Sequence, residues 1–337
     1  PAPAAAMSPA PLVAVNPLSP AKDPWGTVPP STTTPVPPPP PPTREEAIAL
    51  VGAAVSSAVA RKEIAVAVER VPADSRVVFT ANVGELRRND QLDKILGKLA
   101  NHPRVALMLV AAPCVRPILA GSEWVVFAAK SLEDGDRATL IVRGRWRRAD
   151  VEACFADDLV KLEMQDGTTM LQLPRIGWVD FIDDHTVYLS VREDLAAAQV
   201  HALARPGQGP NKTPSKGATV HARKLLARLP ADRTIGMVVD GTDKLPWPSA
   251  LLPAGSDLVT WARVDDAGAA LDVAVDTRDE VTAQKLVEVV RAQLDPVFKD
   301  ANPKMVGRLD VTRDGTTLRI RGTITPFVIG MISSVIP

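Results

Sequence analysis

Four arginines crowd one tryptophan in Arg143-Gly144-Arg145-Trp146-Arg147-Arg148. Guanidinium groups neutralise phosphate or carboxylate, and an indole face stacks a base or a sugar ring. The run is therefore the candidate ligand-binding site, suited to a nucleic acid strand or an anionic glycan. Asp150, Glu152, Asp157 and Asp158 come directly after it, and the same arginines can instead pair with them in a solvated connection. Overall charge argues against nucleic acid: 39 Lys+Arg are balanced by 39 Asp+Glu, so no long-range field gathers phosphate. A protein or glycan partner fits better.

The chain has only 4 histidines. His102 precedes Pro103 in a loop, His185 sits in a turn, and His201 and His221 flank a glycine- and proline-rich stretch. A catalytic histidine needs a group that orients it and a group that it activates. His185 beside Asp183 and Asp184 offers metal donors, yet aspartates in turns bond their own backbone, and a turn accounts for all three. No phosphate-binding glycine loop, nucleophile elbow or His-Glu-x-x-His occurs. The reading is a non-catalytic protein with no cofactor and no metal. Its rival is an extracytoplasmic hydrolase with a site in a cleft between domains.

Cys114 and Cys154 are the 2 cysteines, outside any C-x-x-C spacing. They fit one disulfide in an oxidising compartment or two buried thiols in a reducing one. A bridge would close a loop of about 40 residues, worth roughly 3–4 kcal/mol in the chain-entropy model.

The elements that must position these residues begin after a proline-rich stretch. Residues 1–43 hold 16 of the 32 prolines, so they are expected to be a disordered tether, stiffening toward polyproline II. Thr43 and the acidic pair Glu45-Glu46 announce a helix over 44–70, with Ile48, Val51, Val55 and Val59 on one face.

From residue 71 onward one pattern is written twice. Val71-Pro72-Ala73-Asp74 leads into the strand Val77–Thr80, and Leu229-Pro230-Ala231-Asp232 into Ile235–Val239. A helix is expected over 83–99 in the first copy, where the second has a shorter proline-broken connection. Each copy then has a strand (124–129, 258–263), an Asp/Gly turn, a second strand (138–143, 270–275) and a helix (148–159, 278–294). A hairpin closes each: 170–173, 178–182 and 187–191 in the first, 306–311 and 317–321 in the second.

The expected fold is α+β, two tandem related domains of order β-α-β-β-α-β-β, each an antiparallel sheet packed with helices. The first domain spans 71–204 and the second 219–337, joined by a linker at 205–218 between two short helices. The apolar segment 326–336, too short to span a bilayer, is expected to pack as a last helix.

These landmarks resemble those of uncharacterised secreted or lipid-anchored envelope proteins of myxobacteria and related high-GC bacteria. The similar features are the Pro-Ala-Asp turn before a strand, Glu85-Leu86-Arg87 with Leu92, and a cysteine ahead of Trp124-Val125-Val126-Phe127. Arg143-Gly144-Arg145 before a helix carrying Cys154, and Gly209-Pro210-Asn211-Lys212, complete the set. Ile235-Gly236-Met237 departs from the pattern, which has a tryptophan on that strand. The resemblance implies a periplasmic or envelope location for a secreted or lipid-anchored protein, paired α+β domains and a Cys114–Cys154 disulfide. It implies no activity.

Overall fold

The computed structural model describes residues 55–90, 92–94, 121–131, 138–154, 160–173, 177–192, 194–206, 217–241, 252–298 and 302–329. The proline-rich stretch, Cys114, the side chain of Cys154 and most of the expected linker lie outside them. So do the start of the expected 44–70 helix and the end of the apolar C-terminal segment.

In chain order the elements are α1 (Ser57–Val68), β1 (Val77–Ala81), α2 (Val83–Leu86), β2 (Ser122–Ala129), β3 (Ala138–Gly144) and α3 (Arg148–Cys154). Next come β4 (Val160–Glu163), β5 (Thr169–Leu173), β6 (Gly177–Asp183), β7 (Thr186–Ser190), α4 (Ala197–Ala204) and α5 (Val220–Leu226). The chain continues through β8 (Ile235–Val239), β9 (Asp257–Asp265), β10 (Gly268–Asp276), α6 (Glu280–Phe298), α7 (Pro303–Val306), β11 (Gly307–Asp314) and β12 (Thr317–Ile324).

All twelve strands join one antiparallel sheet, in the order β11-β12-β10-β9-β8-β1-β2-β3-β7-β6-β5-β4. The α+β class holds, but one sheet stands where two were expected. At its centre β1 and β8 pair from Val77↔Val239 to Ala81↔Ile235. The reason is legible in both strands. Each is a run of five mostly apolar residues buried on both faces, and left at an edge it would strand a row of amide donors and acceptors.

The centre is closely symmetric. Asn82 N–H donates to Thr234 O at 2.8 Å, and Asp240 N–H to Arg76 O at 2.8 Å; Arg76 N–H reaches Ala129 O at 3.0 Å, and Thr234 N–H reaches Ala262 O at 2.8 Å. Outward from it, β1-β2-β3-β7-β6 on one side matches β8-β9-β10-β12-β11 on the other. The hairpin β4–β5 extends the first side alone. Sequence reading missed β4, whose four residues alternate but make a run too short to stand out, and all four are exposed.

Alternating side chains build a core on each face. On one, Val78, Trp124, Val126, Ile141, Tyr188, Val238 and Val259 pack beneath residues of α1, α4 and α5, such as Ile64, Val200 and Leu225. On the other, Val77, Val239, Leu258 and Val275 meet Leu286 and Val287 of α6. Val142, Val179, Phe181 and Val187 meet Val151 of α3 there. The first core crosses the β1–β8 seam, so both halves share it.

Candidate functional site

The arginine run lies where β3 ends and α3 begins. Gly144 is needed there: a Cβ would fall 1.9 Å from the Trp146 ring, which folds back over the strand end. Trp146 is therefore a core residue, 9% exposed, packed with Val142, Val151 and Phe181, and its indole face is not presented to solvent. Sequence reading could not distinguish a stacking platform from a plug.

The arginines fan out around it. Arg143 lies between Glu63 (3.3 Å) and Asp183 (3.3 Å), and Arg145 lies 3.9 Å from the buried carboxylate of Glu123. Arg148 donates through Nε to Glu152 Oε1 at 2.6 Å and sits 4.7 Å above the Phe181 ring. Arg147 is exposed. With Arg148, Ala149, Glu152, Asp184 and His185 it lines a depression of about 370 Å³. The expected pairing with nearby carboxylates thus occurs for Arg148, while Arg143 and Arg145 take partners from α1, the β6–β7 turn and β2.

His185 fills the role that the turn gave it. Asp183 Oδ1 accepts from its backbone N–H at 2.8 Å, and its Nδ1 meets Trp146 O at 2.6 Å. His201 was unremarkable in the sequence but sits in a network. Its Nδ1 lies 2.6 Å from Asp180 Oδ2 and its Nε2 lies 3.0 Å from Asp166 Oδ2. Asp180 is wholly buried in β6 and also faces Arg205 at 3.6 Å. Hydrogen bonds from Thr168, reinforced by His201, hold the Asp166 carboxyl far below the ordinary carboxylate range. His102 lies outside the described residues.

A second group of donors gathers at the opposite half. Among the described residues, His221, Asp240 and Asp257 bring one ligand atom each within 4.8 Å of one another. His221 Nε2 lies 2.7 Å from Asp257 Oδ2, and Thr219 Oγ donates to Asp240 Oδ2 at 2.7 Å. Asp276, on the strand beside Asp257, is bonded by Arg228 and by Thr317 (2.8 Å). Burial raises the Asp276 carboxyl's pKa, but these partners outweigh it and the net shift is downward. The hydrolase reading placed its site between the halves; there the backbones of β1 and β8 pair over five residues.

No family model matches this chain, and neither does any curated protein. Among solved structures it is similar to TP0453. Crystal form III aligns over 80% of this chain and 98% of that one, at 14% identity and a TM-score of 0.49. Crystal forms I and IV each cover 79% of this chain and 96% of theirs, at 15% and 16% identity, both with a TM-score of 0.46. No helix among the described residues is long and apolar enough to cross a membrane.

Proposed function

We propose that the protein is a non-catalytic binding or scaffolding module of the cell envelope, made of a duplicated α+β unit behind a proline-rich tether. The observation that supports it most is where the reactive side chains are spent. Arg143, Arg145, Arg148, His185 and His201 are each tied to partners that hold the sheet and its turns together. Such groups stiffen a binding surface more readily than they move protons.

The surface left to a partner is the depression lined by Arg147, Arg148, Glu152, Asp184 and His185, where charges of both signs face solvent. That mixture suits an envelope protein or a glycan bearing acidic and hydroxyl groups. The matching strand order on either side of the β1–β8 seam supports the duplication. The envelope location rests on the sequence resemblance and the proline-rich stretch.

A photo-crosslinking side chain placed at Ala149 of the full chain, in living cells, tests the reading. A discrete adduct with one envelope protein or glycan is expected. Fractionation of the protein with the cytoplasm, or no adduct above that from an exposed control position at Val289, would overturn it.

A further inference from the structure

We infer that His221, Asp240 and Asp257 form a binding site for a divalent transition metal, with Zn²⁺ the best match. One imidazole and two carboxylates are a donor set that zinc accepts, leaving its fourth position for water. The three residues come from rigid places: His221 from α5, Asp240 from the end of β8, and Asp257 from the start of β9. Their ligand atoms lie within 4.8 Å of one another. Tetrahedral ligands at ~2.1 Å from a metal stand ~3.4 Å apart, so the His221–Asp257 pair, now 2.7 Å apart, opens by about 0.7 Å and a pair at the outer limit closes by up to about 1.4 Å. The half-exposed His221 side chain, at 51%, has the freedom to make these moves.

Groups behind the donors orient them as outer-shell partners do in metal centres. Asp257 Oδ1 accepts from Gly241 N–H at 3.1 Å, leaving Oδ2 turned toward His221. Thr219 Oγ caps α5 by accepting from Ala222 N–H at 3.0 Å and donates to Asp240 Oδ2 at 2.7 Å, so one hydroxyl fixes both the helix and a carboxylate. Each carboxylate keeps lone pairs beyond those two bonds. Arg76, 3.3 Å from Asp240 Oδ1 and a third exposed, is the cation that the metal must displace or share with.

The neighbourhood also favours added positive charge. Asp257 and Asp276 are direct cross-strand partners, an arrangement of like charges that costs stability unless neutralised. Arg228 neutralises Asp276, whereas the partners of Asp257 among the described residues are an imidazole and a backbone amide. A metal held jointly by Asp240 and Asp257 balances the set.

Calorimetric titration of the full chain with ZnCl₂ at neutral pH decides the matter, with Co²⁺ absorption as a second readout. One equivalent should bind, and the Co²⁺ complex should show tetrahedral ligand-field bands. His221→Ala and Asp257→Asn should each weaken binding about 100-fold or more while leaving circular dichroism unchanged. His185→Ala should leave binding intact. No binding to the native chain, or equal binding by His221→Ala and the native chain, would overturn the assignment. Should either variant misfold, the native chain's NMR spectrum decides instead: Zn²⁺ should shift the His221 ring signals, and their failure to move would count against the site equally.

Discussion

The turns leaving β3 and β10 occupy matching places in the two halves, yet their charges are opposite. After β3 the chain runs Gly144-Arg145-Trp146-Arg147-Arg148, and after β10 it runs Asp276-Thr277-Arg278-Asp279-Glu280. The first puts cations at a helix N-terminus, against the helix dipole, and recovers the loss by plugging Trp146 into the core and bonding Arg148 to Glu152. The second puts carboxylates there. Asp279 accepts from Thr282 N–H at 2.7 Å, capping the first turn of the helix beyond it. The basic junction is thus braced by an aromatic plug and the acidic one by caps.

The difference continues within the sheet. At matching register, Thr139 pairs with Ser190 across β3 and β7, whereas Asp272 pairs with Arg321 across β10 and β12. Asp272 is buried, and burial alone would raise its pKa. Arg319 at 2.6 Å and Arg321 at 2.9 Å outweigh that and hold its carboxyl below the ordinary value.

Removing the plug should do the most damage. Trp146→Ala is expected to cost about 3–5 kcal/mol, read from urea unfolding, because nothing else fills the space over Gly144. A loss below about 1 kcal/mol would mean that the ring is not packed as described.

Next comes the buried Asp272 carboxylate beneath its two more exposed arginines. Asp272→Asn should destabilise by about 1.5–3 kcal/mol at neutral pH, since two arginines lose a charged acceptor. The lowered pKa sets the sign with pH: the contribution is complete above the unfolded carboxyl's ~3.9 and fades as pH falls through the lower folded value. The gap between native and variant stability should therefore stay constant above about pH 5 and narrow as pH falls below the unfolded carboxyl's ~3.9. A gap that widened in acid would reverse the assignment.

Arg148→Ala should cost about 1–2 kcal/mol, through loss of the Glu152 bond and the Phe181 stack. Thr219→Ala should cost about 1 kcal/mol as a lost cap on α5, and should also weaken Zn²⁺ binding. The matched change at Ser56, which caps α1 by accepting from Val59 N–H at 3.4 Å, should leave Zn²⁺ binding untouched.

Much of the fold was legible because it is local. The repeated Pro-Ala-Asp turns, the Asp/Gly hairpins and the alternation of Val273 and Val275 with Asp272 and Ala274 gave most strands to within two residues. The joining of the halves was not legible, since no local pattern names a strand's partner. The only hint was that Val77–Ala81 and Ile235–Val239 are mostly apolar, as strands flanked on both sides are. The site was harder still. Trp146 and the exposed arginines look alike in one dimension, and the partners of His201 and His221 come from turns and strand ends far along the chain. An aspartate at the end of a β-strand is too common to stand out.

The central claim is that β1 and β8 are adjacent interior strands of one sheet. Amide hydrogen exchange at Val78, Phe79, Met237 and Val238 tests it most directly. All four should exchange only through global unfolding, with equal protection that falls together in urea. Rapid exchange along either strand, or protection of the two strands lost at separate urea concentrations, would contradict it.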